Sequence, residues 1–304
     1  MTDDLPELEM PDFDPKRASR AVRRGLFRTT SYVLAVLLVL GLTATVGSSL
    51  VQTRGGRGER MMDVLGTAFK LYNPGYQVVS GECCETTPLS MSFKVSAGPL
   101  RADSGGREPA VAGTYPISQN FFGRVDHLPL GNSANTRLSV KFYEVGSALA
   151  AKEEVRKALA RLPADLLAVA VVEFAAPLGA DELKGFLEQN EACAEKVVYE
   201  RRTGSLPITW GDITWDRGPF AEDKEGCGVG LGNFRSWVAM LRDHDDRNLR
   251  SFDLSLDRLR KASREGLAYA FVDETSIGKL RKLIEDPRVR TIRLGDVAFD
   301  LDRP

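Results

Sequence analysis

Histidine is nearly missing from this sequence, with two copies in 304 residues, His127 and His244. Neither stands in an H-E-x-x-H pattern, which excludes a zincin-type catalytic helix. The chain also lacks a G-x-S-x-G elbow and a G-x-x-x-x-G-K-[ST] loop, so the hydrolase nucleophile turn and the P-loop phosphate cradle are absent. Cysteine is limited to Cys83, Cys84, Cys193 and Cys227, at spacings that match no tetrahedral zinc signature. Neither sign of charge is in excess. Forty-one Lys and Arg face 42 Asp and Glu, a net charge of −1, which argues against direct nucleic-acid binding by the bulk of the molecule.

Two short stretches look chemical and are read otherwise. Gly226–Gly232 (GCGVGLG) superficially matches a dinucleotide loop, but an acidic stretch precedes it where a strand is required. Asp243-His244-Asp245-Asp246 carries potential ligands for a divalent cation, yet adjacent polar residues at a helix end are ordinarily solvated. The sequence therefore assigns no catalytic, cofactor-binding or metal-ligating residue. It shows no small-molecule substrate site, and the expectation is a protein that is not an enzyme. Trp210, Trp215 and Trp237 are read as core or interface packing.

What the chain does have is one long apolar run, Tyr32–Val51, inside an uncharged span from Thr29 to Thr53. That length crosses a hydrocarbon core of about 30 Å as a helix. Lys16, Arg17, Arg20, Arg23, Arg24 and Arg28 crowd its N-terminal side, against Arg54, Arg57 and Arg60 beyond it. The positive-inside bias then places residues 1–28 in the cytoplasm of a bacterial cell and the bulk of the chain outside. The alternative is a cleaved signal peptide with Gly47-Ser48-Ser49 at its exit, but the charged leader and the length of the run favour an anchor. Basic residues 16–28 suit anionic lipid. The acidic residues before them alternate with Leu5, Leu8, Met10 and Phe13, the pattern either of a solvated tail without a partner or of a disordered interaction peptide, in which case these four are the candidate contacts.

Beyond the anchor, composition (43% hydrophobic, 27% charged over the chain) allows one good-sized core or two small ones. A helical pattern covers Gly58–Leu71 and stops at Asn73-Pro74-Gly75; Tyr76–Val79, Met91–Val95 and Leu138–Val145 look like strands. Ser96–Asn135 reads as loops or short strands, and helix returns at Ser147–Leu162. A first extracytoplasmic region, 54–155, is expected to precede a C-terminal domain, 156–304. In the latter, strand Leu166–Phe174, helix Asp181–Gln189 and strand Lys196–Arg201 form one β-α-β unit. Leu267–Val272, Ser276–Glu285 and Val289–Leu294 form a second. The expected class is α+β with a ferredoxin-like tendency and helices on one face of the sheet. All four cysteines lie on the side where disulfides form, and Cys193–Cys227 is the favoured pair, with free thiols as the alternative. The pairing of Cys83 and Cys84 stays open.

Three stretches carry a resemblance: the anchor followed by a helix and FKLYNPGYQV (Phe69–Val78), then Leu162–Asn190, then Gly266–Phe299 with its strand-helix-strand and Pro-Arg-Val-Arg ending. Together they resemble the bacterial sigma-factor-regulator family. The resemblance implies a membrane-bound regulator of an extracytoplasmic-function sigma factor, either an anti-sigma protein or its accessory. It supplies no catalytic residues. One departure stands out: the cytoplasmic part has no His-x₃-Cys-x₂-Cys zinc domain, so contact with a sigma factor falls to the tail or to a membrane co-regulator. The rival expectation is an extracytoplasmic binding or assembly module for cell-envelope complexes.

Overall fold

A computed structural model describes residues 15–53, 56–102, 112–127, 129–130, 136–147, 151–202, 206–211 and 230–299. The chain divides into two compact units, Met1–Val51 and Gln52–Pro304.

The first unit is one helix, α1, which runs on to Thr53 from Pro15 and so includes the basic segment as well as the apolar run. Val22–Ser48 is long and apolar enough to cross a membrane, and none of it is buried in the protein. The hydroxyls on this helix turn inward: Thr29 and Thr45 donate to the carbonyls of Gly25 and Gly41, and Thr43 donates to that of Val39. Bonding back to the i−4 carbonyl satisfies these three hydroxyl donors within the helix itself.

The second unit opens on a helical run of three pieces: α2 (Arg57–Met61), a π-type turn (Met62–Gly66) and α3 (Thr67–Tyr72). Met61, Val64, Leu65, Ala68, Phe69 and Leu71 are all buried. Asn73 caps it, its side-chain amide donating to the Phe69 carbonyl. Four antiparallel strands follow in order: β1 (Tyr76–Thr86), β2 (Ser90–Pro99), β3 (Gly113–Asn120) and β4 (Val125–His127). In β1 the register slips between Glu82 and Glu85, so Cys83 and Cys84 bulge out opposite the β2 segment between Lys94 and Ser92. Those two cysteines are bonded to each other.

Leu138–Val145, expected as a strand, is helix instead: α4 spans Arg137–Tyr143. Its alternating Leu138, Val140 and Phe142 mimic a strand, but the buried set is Leu138, Phe142 and Val145, while Val140 is exposed. That is helical spacing, and the Thr136 hydroxyl accepts from the Ser139 amide as the cap that starts it.

After α5 (Lys152–Ala160), the second sheet is built from β5 (Leu167–Leu178), β6 (Lys196–Glu200), β7 (Ile208–Gly211), β8 (Ala268–Ser276) and β9 (Val289–Ala298), in spatial order β7-β6-β8-β5-β9. Every pairing is antiparallel. It follows that β5 and β6 run parallel with β8 between them, and that β8 and β9 run parallel with β5 between them. Helix α6 (Ala180–Gln189) joins the first couple and α10 (Ile277–Leu283) the second.

Both faces of this sheet are covered, which corrects the expectation of helices on one face. Ala168, Ala170, Val172 and Phe271 join the large cluster with α6 and α10, where Phe174, Phe186 and Phe271 stack and abut. Val169, Val171, Val198 and Val272 face the other way, onto Leu138 and Phe142 of α4. Double coverage explains why β5 reads as a continuous apolar run without alternation. The large cluster takes residues from both sides of the 155/156 boundary, Leu65, Phe69 and Phe93 among them together with Phe186 and Ile277. Trp210 and Trp237 are in it, with the Trp210 ring against both Phe234 and Trp237 of α7 (Leu231–Met240). Trp215 lies outside the described residues.

Candidate functional site

A cleft of about 590 Å³ is lined by α2, the β3–β4 turn and the segment after α7. Arg57, Arg60, Arg124 and Arg247 line it with His244, Asp243 and Asp245, over a floor that includes Met61, Val64 and Leu65.

One wall is the turn Asn120–Arg124. Gly123 has φ near +81°, a left-handed conformation that a side chain rarely adopts. The turn is closed by the Gly123 amide on the Asn120 carbonyl (2.9 Å) and by the Gln119 amide on the Gly123 carbonyl (2.7 Å). It is then pinned from two sides. Arg57 donates to the Asn120 carbonyl at 3.0 Å. Asn248, on helix α8 (Asp246–Arg250), donates to the Gly123 carbonyl at 2.8 Å and accepts from the Val125 amide at 3.3 Å. Held this way, the turn presents Phe122 at 86% exposure, with Phe121 at 38% and Leu89 of the neighbouring β1–β2 turn at 76%. The Phe121 amide donates to the Leu89 carbonyl, so the three apolar side chains form one tip.

The opposite wall is the 3₁₀ turn Asp243–Asp245 leading into α8. Here the Asp-His-Asp-Asp run is spent on structure. Asp245 accepts from Arg60 at 2.5 Å and from the Arg242 amide at 2.7 Å. Asp246 accepts from Arg250 and from the Leu256 amide, at the start of helix α9 (Leu256–Glu265). Asp243 pairs with Arg260 at 3.0 Å. The carboxylates thus point to separate partners, and no group of three or more potential metal ligands converges among the described residues.

The cleft is consequently cationic. Its two aspartates are neutralised by Arg60 and Arg260, while the Arg124 and Arg247 guanidinium groups have no ion-pair partner among the described residues. His244 lies 3.3 Å from Asp245, but no Ser, Thr or Cys among the described residues lines the cleft for such a pair to activate. Its chemistry is recognition of an anion by planar, multi-donor cations.

Of the stretches singled out from the sequence, the Asp243–Asp246 run borders the cleft, and the others fall elsewhere. Cys193 is disulfide-bonded and its amide donates to Asp273 at 3.4 Å, whereas its expected partner Cys227 lies outside the described residues, as do Leu5, Leu8, Met10 and Phe13. Of the glycine loop, Gly230 is the left-handed cap of α7 and residues 226–229 lie outside the described residues. Beyond Asp243, His244 and Asp245, the cleft residues were not anticipated. Their one local signal is Phe121-Phe122-Gly123-Arg124, adjacent aromatics at a glycine turn, a combination that marks exposed apolar surface.

Comparison of the chain with protein-family models, curated proteins and solved structures returns no match.

Proposed function

We propose that this protein is a single-pass membrane regulator of an extracytoplasmic-function sigma factor, acting as an anti-sigma protein or its accessory without catalysis. Residues 1–28 lie in the cytoplasm and the α+β unit outside. The observation that carries the reading is the fully exposed apolar helix Val22–Ser48, with its basic residues concentrated on the N-terminal side. The order β7-β6-β8-β5-β9, with two split β-α-β couples, supports a ferredoxin-like sheet extended by β7. On this reading an outside event alters the ectodomain, and the anchor's movement, association or cleavage changes what the tail holds. An alkaline-phosphatase fusion after Pro304 tests the topology and is expected to be active. Deleting residues 2–14 while keeping the anchor tests the role: target-gene transcription should rise without loss of the protein from the membrane. Unchanged transcription with normal insertion rejects it. The cationic cleft supports a second reading, an extracytoplasmic binding or assembly module whose tail only anchors.

A further inference from the structure

We propose that the arginine cleft and the Leu89–Phe121–Phe122 tip form a docking surface for anionic phospholipid, in the leaflet from which the anchor emerges. The inference rests on the single-pass reading and adds a second, reversible contact with the same membrane.

Three observations converge on it. The first is the tip. Phe122, Leu89 and Phe121 stand exposed on a turn fixed by main-chain bonds and by Arg57 and Asn248, so their position is built and not a loose-loop accident. The Phe121 and Phe122 rings meet edge to face at 5.8 Å and bury little of each other. Apolar rings held out beside cations are the composition of an interfacial anchor.

Charge is the second. Arg124 lies two positions after Phe122, and Arg247, next to the Asn248 that holds the turn, lines the same cleft; neither guanidinium group has an ion-pair partner among the described residues. Phosphate oxygens match that fork geometry, and an anionic leaflet offers them at high density.

Chain length is the third. Arg57, which holds the tip, lies nine positions after Ser48, the last residue of the apolar span. Five helical residues and four more, even at full stretch, would reach about 20 Å at most, so chain continuity alone keeps Arg57 near the headgroup zone. A tethered surface of this kind needs little intrinsic affinity, because its effective concentration at the membrane is already high.

The test uses the full chain in lipid nanodiscs. Phe122→Trp adds an indole at an exposed position, and its emission is taken as the difference from the unsubstituted protein. In discs of phosphatidylglycerol and dibrominated phosphatidylcholine, that difference emission should fall at least twofold relative to unbrominated discs. Discs of dibrominated phosphatidylcholine without phosphatidylglycerol should give less than half that quenching, and Arg124→Gln with Arg247→Gln should bring the first value down to the second. Unquenched emission in both lipids overturns the proposal. So does quenching that is equal in both and indifferent to the arginines, or quenching abolished by millimolar inorganic phosphate, which would assign the cleft to a soluble anion. Retention of the protein in the discs after an alkaline wash reports separately on the anchor: loss of the chain fails the single-pass reading, and retention with an unquenched indole fails only this one.

Discussion

Glu173 and Arg293 face each other across β5 and β9 at 2.7 Å, with side chains only 1% and 6% exposed. The second Glu173 oxygen takes Arg290 at 2.9 Å, and the Gly146 amide approaches the first at 3.4 Å. Arg293 also donates to the Glu144 carbonyl at 3.0 Å, so the pair ties the sheet to the end of α4. Removing one member strands a buried charge. Glu173→Ala should therefore cost about 3–5 kcal/mol. Arg290→Ala, whose side chain is 36% exposed, should cost under about 1 kcal/mol. Denaturant unfolding of the detergent-solubilised chain compares the two, and equal costs would refute the buried-pair account.

Burial pushes the Asp273 carboxyl up to about 7 from its ordinary 3.8, against the pull of the Cys193 amide. Its Oδ2 has no hydrogen-bond partner. Between those values the folded protein keeps a proton that the unfolded chain releases. Its contribution to stability is thus complete below pH 3.8 and lost as pH rises through about 7. Asp273→Asn should flatten this part of the profile, measured as unfolding free energy from pH 4 to 8. A slope identical to that of the parent protein removes Asp273 as its source.

The indole of Trp237 donates to the Asp63 carbonyl at 3.0 Å, inside the π-type turn. Trp237→Phe keeps most of the ring and loses one buried bond, a cost of about 1 kcal/mol. Trp237→Ala empties a fully buried site and should cost about 3–5 kcal/mol. Calorimetry should show the two melting temperatures well apart, with the alanine variant far lower.

Cys193 and Cys227 are expected to be recovered as one crosslinked peptide after digestion under non-reducing conditions. By the chain-entropy estimate this link contributes roughly 3–4 kcal/mol. Recovery of both as alkylated thiols from native protein would remove it.

The second sheet was legible because its signals are local and mutually consistent. Leu166–Phe174, Asp181–Gln189 and Val289–Leu294 each carry a period or an apolar run, bounded by Pro or Gly, and the elements formed within a few residues of those limits. Leu138–Val145 was misread because alternating apolar residues satisfied a strand pattern, while the deciding feature, the Thr136 cap, sits outside the run. The cleft was illegible for a different reason. Arg57, Arg124 and Arg247 are spread over 190 positions of sequence and are ordinary surface arginines until the fold joins them. The Cys83–Cys84 bond was open to the arithmetic of pairings but not chosen by it.

The helical run Arg57–Tyr72 begins four residues after α1 ends, and its apolar side is sealed within the main cluster. Mechanically, the second unit begins on a segment that cannot swing away from its own core. A pull or twist arriving along the chain at Arg57 is met at once by interlocked side chains, which yield little before they slip. Load is borne in shear across Leu65 and Phe69, whereas a strand peeled from a sheet edge would give way one bond at a time. A force applied to the chain at Arg57 is thus felt by the core of the second unit as a whole.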